Sequence, residues 1–308
     1  MSGRRLSHTV RFRLAGPPSR FEAPARWRRP PVSRNSVAGR ISAVWPCPIV
    51  SGYGRDMTES FSSILITGAS SGIGAAVASH YAAPGIRLVL HGRDAGRLEA
   101  VAAECRAKGA AVETTLFDIA DRIATAAAIG AVDAAQPLDL VIANAGIGGG
   151  LEDSHDNTLT VFRTNIDGVL NTLYPALDAM RRRGRGTIAL MASLASFRGL
   201  PGSAAYSASK AAVRTLGEGL RGENLKHGVK IAVICPGYVV SPMTDRNTHA
   251  MPFLMPAERA AAIIARGLAR GHARIGFPRP MLWTVVTLTA MSPNFVDRWL
   301  LRVPRKRD

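Results

Sequence analysis

Tyr206 and Lys210 stand four residues apart, a spacing that puts both on one face of a helix. A phenol with a pKa of about 10 is a poor base near neutrality. An ammonium about 4 Å away, at an effective dielectric near 20, favours phenolate by about 4 kcal/mol. That lowers the phenol's pKa by as much as about three, before desolvation opposes it. Such a pair moves a proton onto or off a substrate oxygen. Alone, a Y-x-x-x-K pair is also a common pattern on solvated helices. A second candidate is Thr67-Gly68-Ala69-Ser70-Ser71-Gly72-Ile73-Gly74. Glycines at 68, 72 and 74 leave no side chain where a backbone must bend sharply and approach a ligand. The helix that follows points free N–H groups and its positive end at that spot, which suits a pyrophosphate. An ordinary strand–helix turn uses glycines the same way. Placement in the first strand–helix–strand unit favours the dinucleotide reading.

Other chemistries find little support. The chain has no H-E-x-x-H and no C-x-x-C, and its histidines are scattered singly. No metal is therefore expected. Three cysteines, Cys47, Cys105 and Cys235, make no disulfide framework. The natural setting is a reducing, cytoplasmic compartment, with Cys235 an inert core residue at a strand end.

The elements that must position these residues alternate. Short apolar runs at 63–67, 87–91, 112–116, 138–143, 187–192 and 230–235 read as strands, with a shorter edge strand at 274–277. Helical patterns cover 72–83, 95–108, about 158–183, 204–227 and 256–270. Gly109 closes the second of these. Alternation with all-apolar strands predicts an α/β fold, a doubly wound parallel sheet between two helical layers in a single domain. The boundaries expected are a basic extension over 1–56, a catalytic domain over 57–278 and an apolar, basic tail over 279–308.

With this order in place, the chain resembles the short-chain dehydrogenase/reductase family over about Phe61 to Phe277. TGASSGIG is similar to that family's cofactor motif, with spacing G-x-x-x-G-x-G. Ala143-Asn144-Ala145-Gly146 follows the fourth strand, Ser193 precedes Tyr206-Ser207-Ala208-Ser209-Lys210, and Pro236-Gly237 follows the sixth strand. The resemblance implies a Rossmann-type oxidoreductase that interconverts an alcohol and a ketone or aldehyde. It implies that Gly68, Ser70, Ser71, Gly72, Ile73, Gly74, Asn144, Ala145, Gly146, Pro236, Gly237 and Val239 line the cofactor. Tyr206 would give or take the proton, and Lys210 would also grip the nicotinamide ribose. Ser193 would hydrogen-bond the substrate carbonyl, and Asn165 would hold a water linking Lys210 to solvent. Each residue has a plainer reading too. Ser193 could be a strand-end hydroxyl tied to backbone, and Asn144 could satisfy local turn groups. Asn165 costs helix propensity where it stands. The rival function is a nucleotide-binding regulatory or scaffold protein that keeps the fold without turnover.

A carboxylate at the end of the second strand accepts from adenosine ribose hydroxyls and repels a 2′-phosphate. This chain has His91-Gly92-Arg93 there, with Gly92 where NAD-preferring members of the resembled family carry aspartate. Arg93 could hold a 2′-phosphate by a charge-assisted contact, or be a solvated charge beside Asp94. NADP(H) is the cofactor expected, with NAD(H) the alternative. Asp118 resembles the residue that meets the adenine edge, and could instead cap a helix together with Asp121.

The net charge of +17 raises nucleic-acid binding. Residues 1–56 carry 11 arginines against two acids, so +9 of the excess sits there and +8 in the remaining 252 residues. A tail property is not a basic face, and no nucleic-acid partner is expected. Seven prolines make 1–56 a disordered segment. It could be a targeting segment, a basic arm, or an over-long start ahead of Met57, the reading favoured here. Met251, Phe253, Leu254 and Met255 read as an apolar lid over an apolar substrate, or as a contact with another subunit. The expected partners are a small apolar carbonyl or alcohol and further copies of the chain. Met281, Leu282, Val285, Val286 and Leu288 mark one apolar helix surface with Trp283 at its border. A basic end follows, so 279–308 is expected to pack on the domain, on a partner or on a membrane surface, the last as a peripheral contact.

Overall fold

Alternate residues of the inner strands face opposite sides, and both sides are apolar. In the first strand Ile64 and Ile66 belong to one core, Leu65 to the other. A strand buried on both faces needs helices above and below it. The computed structural model describes residues 59–148, 154–247, 250–292 and 294. The expectations for 1–56 and for the basic end of the tail lie outside these residues.

Seven parallel strands form the sheet: β1 (Ser63–Thr67), β2 (Arg87–Gly92), β3 (Ala111–Leu116), β4 (Leu140–Ala143), β5 (Gly186–Met191), β6 (Val229–Pro236) and β7 (Arg274–Phe277). Their order is β3-β2-β1-β4-β5-β6-β7. The order therefore reverses between β1 and β4, which opens a crevice at the carboxyl ends of those two strands. Helices α1 (Gly72–Tyr81), α2 (Ala95–Ala107) and α7 (Ala257–Ala269) cover one face. Helices α3 (Arg122–Ala135), α5 (Gly168–Arg183) and α6 (Ala204–Leu225) cover the other. A shorter α4 (His155–Phe162) runs into α5 through a π-helical turn, Arg163–Asp167. The last helix, α8 (Arg279–Ala290), follows β7.

Two expectations are corrected. The sequence reading has no helix between the third and fourth strands, yet α3 occupies 14 residues there. Asp121 caps it, accepting from the backbone N–H groups of Ile123 and Ala124. The single long helix over 158–183 is instead two helices with a π turn centred on Asn165.

The tail helix is half docked. Met281, Leu282 and Val285 pack on the core beneath α5 and α6. Arg198 donates to the Leu288 carbonyl at 3.3 Å, and Thr289 Oγ1 donates to the Phe197 carbonyl at 2.9 Å. Val286, grouped with the packing residues on sequence grounds, is exposed together with Trp283. Among the described residues, no helix is long and apolar enough to cross a membrane.

Candidate active site

The crevice brings together the segments that the sequence separates. Thr67 ends β1, and its Oγ1 accepts from the backbone N–H groups of Asn144 and Ala145 at 3.0 and 3.1 Å. Asn144 Nδ2 returns the contact, donating to the carbonyls of Thr67 and Gly68 at 2.9 and 3.1 Å. Asn144 thus ties the turn after β4 to the glycine turn, which is the plainer of its two expected roles. Gly68 has φ +66, a left-handed backbone that favours glycine. At Gly74 a Cβ would lie 2.2 Å from the Gly68 carbonyl oxygen, so only glycine lets α1 pack against its own turn. The positive end of α1 consequently faces the crevice.

On the far side of β4, β5 and β6 supply the remaining groups. Ser193 follows β5, and its Oγ accepts from Ala195 N at 3.1 Å and lies 3.4 Å from the Pro236 carbonyl. The backbone tie foreseen for Ser193 is present, and the same hydroxyl is near enough to Tyr206 to favour its phenolate. Tyr206 and Lys210 share one face of α6, with the ammonium 5.7 Å from the ring centroid. Lys210 is buried and donates to the Met191 carbonyl at 2.9 Å. Asn165 is fully buried in the π turn. Its Oδ1 accepts from Ile147 N at 2.8 Å, and its Nδ2 donates to the Ile147 carbonyl at 3.0 Å and to Ser209 Oγ at 3.1 Å. A Cβ on Gly146 would sit 3.1 Å from Asn165 Oδ1 and 3.2 Å from Lys210 Nζ, so both side chains converge on that backbone.

The electrostatics differ from the sequence expectation. Burial pushes the Tyr206 phenol above its ordinary value; the Ser193 hydroxyl offsets part of this, and Tyr238 adds to it. Burial also pulls the Lys210 ammonium down to about 8, with Cys235 opposing. The expected lowering of the phenol by its lysine is therefore overturned. Desolvation acts on both groups, and the ammonium is turned toward the Met191 carbonyl rather than the phenol oxygen.

Arg93 and Asp118 flank the crevice as exposed side chains at the ends of β2 and β3. Asp94, the neighbour that could have held Arg93, instead caps α2 and pairs with Arg97 at 2.8 Å. Asp118 Oδ1 accepts from Ala120 N at 3.0 Å, while Asp121 alone caps α3. The segment after Pro236-Gly237 closes over the glycine turn. A Cβ on Gly72 would lie 2.9 Å from Ser241 Cβ, and one on Gly148 would lie 3.3 Å from Met243 Cγ. Phe253 and Leu254 are exposed, but Met255 is buried in the core and bridges to Val239. Met255 is thus a core residue, not part of a lid. Sequence reasoning missed Thr67, Ser209 and Ser241 as partners in this network, because their roles depend on residues far away in the chain.

The sequence pattern of the short chain dehydrogenase family matches residues 62–252. The chain belongs to this family. This short-chain dehydrogenase is 40% identical over 237 residues to an uncharacterized oxidoreductase of Myxococcus xanthus, covering 76% of this chain and 92% of that protein. It is 35% identical over 243 residues to gluconate 5-dehydrogenase of Gluconobacter oxydans, covering 78% and 91%. Among solved structures it resembles a candidate NAD(P)-dependent gluconate 5-dehydrogenase from Beutenbergia cavernae with NADP bound at low occupancy. The TM-score is 0.63 and the identity 28%, over 70% of this chain and 94% of that one. The protein is thus an oxidoreductase of the short-chain dehydrogenase family, built on a Rossmann-type sheet.

Proposed function

We propose that this protein interconverts an alcohol and a ketone or aldehyde with NADP(H) as hydride partner, on a small apolar substrate. The observation that carries the reading is the convergence of Ser193, Tyr206, Lys210 and Asn165 beside the glycine turn at the start of α1. The donor set fits a dinucleotide: a left-handed glycine, a free helix N-terminus and an exposed arginine. The relative solved with NADP supports the cofactor class. When bound, the nicotinamide supplies or accepts the hydride, chemistry that no side chain here offers.

The chain's own residues do the rest. Tyr206, kept as the phenol by burial, donates a proton to the carbonyl oxygen during reduction. Ser193, which follows β5 on the same side of the crevice, orients that oxygen. Lys210 holds positive charge on the same helix face as the phenol and would grip the nicotinamide ribose. Asn165 fixes Ile147 and Ser209, and so fixes the wall against which Lys210 stands. Met243, Phe253 and Leu254 are exposed in the segment after β6 and would give the entrance an apolar edge. The test is a panel of ketones and alcohols followed by nicotinamide absorbance with both cofactors. Binding of either cofactor with no turnover on any compound would favour the non-catalytic alternative.

The cofactor preference has its own test. Arg93→Ala is expected to raise the KM for NADPH about tenfold and to leave NADH nearly unchanged, because only NADPH offers a phosphate. Equal losses would show that Arg93 does not read the phosphate. Gly92→Asp is expected to shift preference toward NADH. Its Cβ meets Ser70 Cβ at 3.2 Å and Leu98 Cδ1 at 3.3 Å, so a small local adjustment accompanies the switch.

The proposal extends to partners: further copies of the chain, and an anionic membrane surface reached through 279–308. Exposed Trp283 and Val286 stand on α8, and the sequence beyond Asn294 adds Phe295, Trp299 and five basic residues against two acids. The full chain is expected to sediment with anionic liposomes at low salt, and a chain ending at Ala290 with Trp283→Gln to remain in the supernatant. If both stay in the supernatant, the membrane contact is wrong.

A further inference from the structure

His91 is the penultimate residue of β2, and its side chain is buried. Its Nε2 lies 3.0 Å from the Phe117 carbonyl, and its ring lies on the Phe117 ring with centroids 4.1 Å apart. A carbonyl only accepts, so Nε2 carries the proton and donates. Burial keeps the ring's pKa below the ordinary histidine value; Phe117 opposes this, Arg93 adds to it and Asp118 opposes it. A neutral ring with the proton on Nε2 leaves Nδ1 as a buried acceptor with no partner among the described residues. Leaving such an atom unmet costs about 1–3 kcal/mol. A phenylalanine or leucine would fill the position without that cost, so packing alone does not account for the histidine.

The bond has a geometric consequence. Phe117 and Asp118 form the segment between β3 and the start of α3. One end of it is pinned at Ile119, whose carbonyl accepts from Asn171 Nδ2 at 3.0 Å and Thr125 Oγ1 at 3.3 Å. The other end is pinned by His91. Asp118 sits between the two pins. His91 also immediately precedes Gly92-Arg93, so one side chain ties the corner bearing Arg93 to the corner bearing Asp118.

We propose that His91 is a positioning residue for the adenosine end of the dinucleotide, holding the Phe117–Asp118 corner in register with Gly92-Arg93. This rests on the nucleotide reading given above. It assigns a role to a residue that touches neither nicotinamide nor substrate.

The test uses the full chain and two probes, NADPH and 2′,5′-ADP, the second carrying only the adenosine half. His91→Phe keeps an aromatic ring and removes the donor. It is expected to weaken both probes about tenfold and to leave kcat at saturating NADPH unchanged. His91→Gln carries an amide donor that reaches the Phe117 carbonyl, and is expected to bind both within about threefold of wild type. Should His91→Phe fail to fold, His91→Leu takes its place with the same expected loss. Wild-type affinity in the donorless variant overturns the proposal. So does a His91→Gln variant as weak as His91→Phe, or a loss confined to kcat. Failure of the wild-type protein to bind either probe, or NADH beside them, overturns the nucleotide reading itself, a result distinct from the others.

Discussion

Tyr206→Phe is expected to slow turnover at least about 10²-fold while leaving the fold and nicotinamide binding intact. The substitution removes one oxygen and nothing else, and the ring keeps its place on α6. What disappears is the phenol on the helix face that also carries Lys210. Because burial raises the phenol's pKa, Tyr206 stays protonated through neutral pH. A protonated phenol is an acid, so carbonyl reduction is expected to proceed at neutral pH and below. Alcohol oxidation needs the phenolate and is expected to rise with pH. Both dependences should vanish in the phenylalanine variant, whose residual rate has no proton donor at that position. Steady-state rates in both directions from pH 6 to 10 are the measurement. Near-wild-type turnover by Tyr206→Phe would remove the residue from the chemistry.

How far the sequence carries the fold is shown by particular segments. β1 and β7 begin and end where their apolar runs do, because Gly68 and Pro278 stop them abruptly. The helix α3 escapes that kind of reading. Its 14 residues hold seven alanines and an internal Gly130, and among its apolar residues only Ile129 and Val132 are buried. Too few large side chains mark a face, and the clearest local signal is the cap at Asp121. The π turn at Asn165 is illegible for a different reason. It is held by bonds to Ile147 and Ser209, 18 and 44 residues away, and no local pattern encodes them.

The candidate site follows the same division. Residue types and order are visible as motifs, since the glycines, Asn144, Ser193, Tyr206 and Lys210 each stand at a strand end or on one helix face. Electrostatics are not visible, because they depend on how much water the fold removes. A spacing of four residues fixes a shared face but not a short ammonium–phenol distance. The fold sends the Lys210 ammonium to a backbone carbonyl and buries it, while Tyr206 is left half-buried with its phenol desolvated. Desolvation then outweighs attraction. His91 is hidden likewise. In sequence it is an isolated histidine, and only the pairing of β2 with β3 brings it to Phe117.

Lys210→Met is expected to separate stability from function. The unfolded lysine has a pKa of 10.5 and the folded one about 8, so the folded state binds its proton less tightly. Between those values the unfolded chain holds more protons, and stability rises with pH through that window. Below about pH 8 the full penalty applies, about 3 kcal/mol at 1.36 kcal/mol per pKa unit. Methionine has similar length and no charge to desolvate. Against this, the Met191 carbonyl loses its donor, at a cost of about 1–3 kcal/mol. The balance predicts a variant no less stable than wild type at pH 7, with any advantage shrinking as pH approaches 10. Turnover should fall at least about 10²-fold, because the charge on the phenol's helix face is gone. Melting curves at pH 7 and 10, with rates measured beside them, read both quantities. A variant much less stable at pH 7 would mean that the bond to Met191 outweighs the buried charge. Retained turnover would mean that Lys210 is a structural residue and that Tyr206 works without it.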